Sequence, residues 1–172
     1  NIHLLEDSAQ SLWSFFNWKH LGTFWAMWSF SFSVPKIITM WQWWAIITNN
    51  DELDTLVRKI KDFGRIKWGS DFHDMLWWNF KVTDIQSVIW IEQMKDLPNR
   101  VERKKEIYKL YKEWLKSIKE IEIPNCDEWV SPWFFEILVK ENRSELISHL
   151  KENWIWSRKF YPPINNQLFY KD

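Results

Sequence analysis

Glycine is nearly absent. Three glycines stand in 172 residues, where ordinary usage near ~7% would place about a dozen. Cysteine is scarcer still. Cys126 is alone, so no disulfide forms within the chain, and a reducing, cytoplasmic compartment is expected. Neither sign of charge is in excess. The 23 basic residues balance 23 acidic ones, which excludes the strongly basic footprint of a nucleic-acid-binding domain. Long apolar runs are missing too. Lys36 divides the uncharged stretches Leu21 to Pro35 and Ile37 to Asn50, and each falls short of the ~18 residues that span a bilayer. The first residues, Asn1 to Asp7, end in acids with no basic segment before them, so no signal peptide is expected. His3, His20, His73 and His149 fall at no metal-ligand spacing. The rest, 46% apolar and 27% charged, is the balance of a soluble globular chain.

What the chain has instead is tryptophan, 16 of them. Indole rings ordinarily fill cores or binding faces. Here several fall where the backbone asks for glycine. Asn17-Trp18 sits at a hairpin turn, for which Asn-Gly is the strongest short signal. Met40-Trp41-Gln42-Trp43-Trp44 lies between two β-rich runs, as a glycine-rich loop would. Asn153-Trp154 follows an amphipathic helix, where glycine closes helices in the left-handed region. We read these, and every tryptophan except Trp78, Trp133 and Trp114, as standing for glycine. A route exists. Some uncultured bacteria reassign the stop codon UGA to glycine, and a table that reads UGA as tryptophan would write Trp instead. Trp78 and Trp133 sit where aromatics fit and are expected to be authentic. Trp114, in mid-helix, stays open, because an aromatic costs less there than glycine. A truly Trp-rich module that binds carbohydrate or a membrane surface would line its rings along one face of a strand or helix. The turn positions argue against it.

Ile2 to Leu5 is expected to be a strand ending in Glu6-Asp7. Met27 to Val34 and Ala45 to Thr48 read as strands. Asn49 is expected to cap a helix with Leu53, Leu56, Val57 and Ile60 on its apolar face and Gly64 at its end. Arg65 to Trp77 reads as a loop. Thr83-Asp84-Ile85-Gln86 is a capping box, opening a helix expected to bury Ile85, Val88, Ile89 and Met94. Pro98 suits the first position of the next helix. That helix carries Val101, Tyr108, Tyr111, Leu115 and Ile118 at helical spacing beside a solvated charged face. Pro132 to Val139 reads as a buried strand, Glu145 to Asn153 as a helix, and Pro162-Pro163 as an extended loop. The alternation predicts an α/β fold. Ligands of open α/β sheets gather at the C-terminal ends of strands, and Asp7 lies at such an end. A strand at the very start, and no closing element after the Pro loop, predict an incomplete protein.

Restoring glycine brings a set of motifs into line. They are Glu6-Asp7-Ser8-Ala9-Gln10, Phe30-Ser31-Phe32-Ser33-Val34-Pro35-Lys36, and Trp41-Gln42-Trp43-Trp44 read as Gly-Gln-Gly-Gly. Further on come Trp78-Asn79-Phe80-Lys81-Val82-Thr83-Asp84-Ile85-Gln86, and Trp154-Ile155-Trp156-Ser157-Arg158 leading to Tyr161-Pro162-Pro163. In order and spacing the chain resembles the DegT-type nucleotide-sugar aminotransferases, fold-type I enzymes that use pyridoxal 5′-phosphate (PLP). The resemblance runs over nearly the whole chain. It implies the C-terminal part of such an enzyme, with residues 1–97 a partial large, PLP-binding domain and 98–172 a partial small domain.

The resemblance also implies roles. Lys36 matches the Schiff-base lysine, which can also shuttle a proton during transfer. Asp7 matches the carboxylate that pairs with the pyridinium nitrogen and keeps the ring an electron sink. Gln10 matches a residue at the cofactor's 3′ oxygen, and Ser31 a phosphate ligand. Asn79 matches an asparagine that reaches the phosphate of a neighbouring subunit's cofactor, which implies a homodimer. Arg158 and Tyr161 are candidates for the substrate. The implied partners are a keto-sugar nucleotide and an amino-acid donor such as glutamate, in amino-sugar and cell-surface polysaccharide synthesis, with no nucleic acid and no membrane.

Taken singly, Lys36 is a surface lysine, Asp7 a turn acid, Asn79 a turn residue and Arg158 a structural arginine. The order of the motifs gives them their roles. Cys126 reads as a passive small side chain. Three positions depart from the family pattern: Pro35 where Thr is frequent, Gln42 where Glu is frequent, and Asn165 where His commonly follows. Lys36 argues against the family's dehydratase branch, in which histidine replaces the lysine. The other expectation for so short a chain is a truncated gene product with no activity of its own.

Overall fold

The computed structural model describes residues 2 and 4–170, so His3 lies outside the described residues. In chain order the elements are β1 (Leu5–Asp7), β2 (Phe15–Phe16), β3 (Lys19–His20), β4 (Met27–Ser31), β5 (Trp44–Ile47), α1 (Asp51–Lys61), α2 (Asp84–Lys95), α3 (Leu97–Leu115), β6 (Ile121–Glu122), β7 (Leu138–Val139) and α4 (Arg143–Glu152). Two short 3-10 turns, Ile164–Asn166 and Leu168–Tyr170, follow Pro162-Pro163. The chain divides into two compact units. One holds the residues up to Leu115 with Asn125–Phe135, the other Lys116–Pro124 with the chain from Glu136 onward.

The first unit is built on a sheet in the order β1-β4-β5. β1 runs parallel to β4, with Asp7 opposite Ser29, and β4 runs antiparallel to β5, with Ser31 opposite Trp44. Parallel pairing brings the C-terminal ends of β1 and β4 to one edge. Side chains alternate across a strand. Accordingly Trp28 and Phe30 are buried while Met27, Ser29 and Ser31 are only partly so. β4 stops at Ser31 rather than running on to Val34. The chain turns there, with the Lys36 N–H donating to the Ser33 carbonyl at 3.0 Å.

The core gathers Trp28, Phe30, Phe32, Ile38 and Met40 with Leu97 and Val101 of α3. Burying one such aliphatic side chain contributes about 1.5–3 kcal/mol. Two of these residues come from α3, which lies in the first unit. Pro98 is the second helical residue, one place later than expected, and Ile118 lies beyond the helix end.

α1 is capped by Asn50, not Asn49. The Asn50 Oδ1 accepts the Leu53 N–H at 3.0 Å. Acids crowd its first turn and Arg58, Lys59 and Lys61 its last, which complements the helix dipole. α2 opens with both arms of the Thr83–Gln86 capping box. Its inward face keeps Met94, as expected, but not Ile85 or Val88. Ile85 is 70% exposed and Val88 59%, while Trp90 and Met94 pack on the core. Polar clasps set this rotation. The Gln93 amide donates to the Thr39 carbonyl at 2.7 Å and accepts the Thr39 N–H at 3.0 Å, and Gln86 Nε2 donates to the Met40 carbonyl at 3.3 Å.

Residues 132–135 are not strand. Only Leu138–Val139 pairs, with β6. The segment before it is engaged elsewhere: the Trp129 carbonyl accepts the Phe15 N–H at 2.9 Å, and the Ser131 N–H donates to Ser14 Oγ at 2.9 Å. In the second unit α4 starts at Arg143, two residues before the expected Glu145.

The tryptophan positions separate by backbone. β2 and β3 form a hairpin closed by Asn17 (φ 48°) and Trp18 (φ 64°). Positive φ at both central residues is the type I′ turn, whose second position favours glycine. Trp154 has φ 60°. Its N–H donates to the Lys151 carbonyl at 3.1 Å, and the Ile155 N–H to the Leu150 carbonyl at 2.8 Å. These are the two bonds of a Schellman motif, with Trp154 in the glycine place. Trp41 (φ 67°) and Trp13 (φ 64°) are left-handed as well. A Cβ-bearing residue there costs on the order of 1 kcal/mol or more. Trp44 is different, an ordinary strand residue in β5. Trp28 and Trp90 carry another mark: among the described residues, their buried indole N–H groups have no partner, whereas buried indoles normally find one.

Candidate active site

The edge where β1 and β4 end is built from their last residues and the turns that follow. Asp7 closes β1, and its Oδ1 accepts the Ala9 N–H at 3.0 Å. That bond curls the chain so that Ala9 and Gln10 line the cleft beyond. Glu6, one residue earlier, faces the other way. Its carboxylate accepts the N–H groups of Gly22 and, at 3.2 Å, of Phe24. Gly22 is left-handed, and a Cβ there would collide with the Phe30 ring and Ser8 Oγ, so only glycine lets the loop come this close.

After β4 the chain makes a closed loop with Lys36 near its tip. The base is pinned by the Met40 N–H on the Phe32 carbonyl at 2.8 Å and by the Phe32 N–H on the Trp43 carbonyl at 2.7 Å. Thr39 Oγ1 donates to the same Phe32 carbonyl at 3.0 Å. Ser31 Oγ donates to Ser33 Oγ at 3.2 Å. Gln10, Ser31 and Lys36 line one cleft of about 20 Å³, with Lys104 and Trp133 on its other wall. The Lys36 Nζ lies 3.9 Å above the Trp133 ring. Burial pushes the Lys36 ammonium to lose its proton below the usual lysine range, and the Asp7 carboxylate opposes this. Desolvated lysines of this kind serve as nucleophiles and bases.

The structure thus brings Lys36, Gln10 and Ser31 together, with Asp7 close enough to act on the amine. It does not bring Asn79 to that cleft. Asn79 bridges back to Asp62, and its Oδ1 accepts the Lys81 N–H at 3.1 Å. Arg158 and Tyr161 stand in the second unit, with the guanidinium 4.3 Å above the phenol ring. The sequence pattern pointed to no role for Lys104 or Trp133 in the cleft, nor for Glu6 behind it. All three act through contacts distant along the chain, and only the expectation that Trp133 is a true aromatic pointed toward it. An amine, a carboxylate, a hydroxyl and an amide at one strand edge fit a cofactor with a carbonyl carbon, a ring nitrogen and an anionic group.

A lysine in a loop at the C-terminal edge of parallel strands places the chain in the class of open α/β proteins that bind ligands there. Within that class the chain belongs to the DegT/DnrJ/EryC1/StrS aminotransferase family, whose sequence profile matches residues 1–172. It is similar to the GDP-perosamine synthase of Escherichia coli O157:H7, at 28% identity over 174 residues that cover 100% of this chain and 48% of that protein. It is also similar to the UDP-4-amino-4,6-dideoxy-N-acetyl-beta-L-altrosamine transaminase of Campylobacter jejuni strain 81-176, at 28% identity over 99% of this chain and 48% of that protein. Among solved structures it superposes on PseC of Helicobacter pylori, an aminotransferase involved in the biosynthesis of pseudoaminic acid. The TM-score is 0.91, with 25% identity, over 99% of this chain and 48% of that one. The chain spans about half the length of the curated relatives it matches. The expected α/β fold holds, as part of a fold-type I transferase.

Proposed function

We propose that the protein containing this chain moves an amino group, from glutamate, onto a keto-sugar nucleotide, with PLP as its cofactor. The observation that carries this is the convergence of Lys36 with Asp7, Gln10 and Ser31 at the ends of β1 and β4. Family membership supports it, as do relatives named as a GDP-perosamine synthase and a UDP-linked altrosamine transaminase. PLP supplies an electron sink for the negative charge that develops on the substrate carbon. Lys36 would hold the cofactor, and its Nζ would be the group that moves a proton. Burial lowers its proton affinity, the direction that favours giving up a proton, while Asp7 opposes this. The Asp7 carboxylate would keep a proton on the ring nitrogen. Gln10 would orient the ring through its oxygen substituent, and Ser31 would hold the phosphate.

Asn79, outside the cleft of its own chain, is assigned to the neighbouring subunit's cofactor, which makes the working form a homodimer. Arg158 and Tyr161 are assigned to the substrate's anionic groups. Residues 1–97 are taken as part of the large domain and 98–172 as part of the small one, with α3 packed on the former. Among the described residues no helix is long and apolar enough to cross a membrane, and we place the enzyme in the cytoplasm with its nucleotide-sugar substrate.

The test is borohydride reduction of the full-length gene product after incubation with PLP, followed by peptide mass spectrometry. A stable adduct on Lys36 is expected, and its absence in Lys36→Ala. An adduct on any other lysine, or none, sinks the proposal. The 172-residue chain alone is expected to hold PLP poorly, because half the length of its relatives is absent from it. We further propose that the tryptophans other than Trp78, Trp114 and Trp133 stand for glycine. Reading the gene decides this: UGG at Trp18, Trp41, Trp43 and Trp44 overturns it.

A further inference from the structure

We infer that Trp133 is a positioning residue for Lys36, holding both the amine and the backbone that presents it. One indole makes two contacts. Its ring face lies 3.9 Å from the Lys36 Nζ. Its Nε1–H donates to the Pro35 carbonyl at 3.0 Å, across 98 positions of sequence. Pro35 has no N–H to offer, so its carbonyl is the sole backbone handle at that residue, and Trp133 takes it.

The indole is itself held in place. Lys104 Nζ donates to the Trp133 carbonyl at 3.2 Å. The Phe134 ring stacks on it at 4.0 Å and 27°. The preceding Ser131 is buried and bonded to Ser14 Oγ. No other tryptophan among the described residues approaches Lys36 in this way. Unlike Trp28 and Trp90, Trp133 has a partner for its N–H.

The consequence is a balance at the amine. Burial disfavours the ammonium, while the Asp7 carboxylate from β1 favours it. Lys104, from α3, lines the same cleft as a second cation. The electron-rich indole face favours the ammonium as well, so the ring keeps Lys36 protonated and extended over one fixed surface until the proton is taken. The value of this for catalysis rests on the aminotransferase reading, but the contacts themselves do not.

The experiment is competitive acetylation of Lys36 in the full-length, cofactor-free protein, read against pH by peptide mass spectrometry. The parent is compared with W133F and W133L. W133L keeps apolar cover and loses the aromatic face, so the labelling midpoint is expected to fall by about 0.5–1 pH unit. W133F keeps a face and is expected to fall less. An unchanged or raised midpoint in W133L overturns the inference. Site-specific fluorination of the Trp133 indole is the isosteric control if W133L does not fold. It keeps shape and N–H while draining the ring face, and a midpoint unmoved by fluorination likewise overturns the inference. A borohydride adduct away from Lys36 sinks the aminotransferase reading and leaves the labelling result standing. An adduct on Lys36 with an unmoved midpoint sinks this inference alone.

Discussion

Helices α1 and α4 end in the same backbone figure, set in opposite surroundings. After α1, Phe63 turns left-handed (φ 61°) and the Gly64 N–H returns to the Lys59 carbonyl at 2.9 Å. After α4, Trp154 does so (φ 60°) and the Ile155 N–H returns to the Leu150 carbonyl at 2.8 Å. The α1 end is tied on every side. Lys81 Nζ donates to the buried Asp62 at 2.6 Å, and the Phe80 N–H reaches the Lys61 carbonyl at 2.9 Å. The Phe63 ring lies under Lys81 and Arg65 at 4.8 and 5.6 Å. The α4 end has a ring that is 97% exposed. A side chain in the left-handed region is therefore offset by its own contacts in one case and by nothing in the other. That difference distinguishes a residue that belongs at such a place from one standing in for glycine.

The tightness of the α1 end rests most heavily on Gly64. A Cβ there would strike the Met75 backbone in a left-handed residue. Gly64→Ala is expected to destabilise the protein by about 3 kcal/mol or more, from strain plus overpacking, read as a lower urea midpoint. An unchanged midpoint would mean that the α1 end is as loose as the α4 end. Next in size is Trp154→Gly, expected to raise stability by about 1–2 kcal/mol by relieving the left-handed Cβ. A loss of stability on that change would show that the exposed ring has a partner after all.

The smallest effect concerns Lys81→Met, expected to cost about 1 kcal/mol or less, since Lys81 is partly exposed. Its sharper reading is in pH. The hydrogen bond from Lys81 holds the Asp62 carboxyl below the usual carboxylate range, against the opposing effect of burial. The pair's stabilisation is then complete above the unfolded value near ~4 and is lost as pH falls through the lower folded one. Acid titration of the variant should lack that component. An acid limb identical to the parent's would remove Lys81 from the account.

Local chemistry was legible wherever it was confined to a few neighbouring residues. The Thr83–Gln86 box, the Asn17-Trp18 turn and the α4 terminus each use partners within a turn of themselves. Asp7 at a strand end and Lys36 after the next strand were legible as motif order. What escaped the sequence depends on partners far along the chain. The apolar run from Pro132 resembles a strand because its partners, Pro35, Lys104 and Ser14, cannot be seen locally. The face of α2 was legible at Met94 but not at Ile85 and Val88, which hydrophobic spacing favours, because two glutamines bind the loop after Lys36. Leu97, fully buried at the start of α3, went unnoticed beside the proline that marks the helix.

Gln93 also does something a hydrophobic contact cannot. Its amide meets Thr39 with a donor and an acceptor at once, as one residue of a neighbouring strand would. The loop that carries Lys36 is thereby read by its backbone, whatever side chain stands at position 39. A glutamate in place of Gln93 would keep one half of this handshake and turn the other into a meeting of two acceptors. The loop would then be fastened at its nitrogen and pushed away at its oxygen, and the lysine at its tip would lose its fixed address.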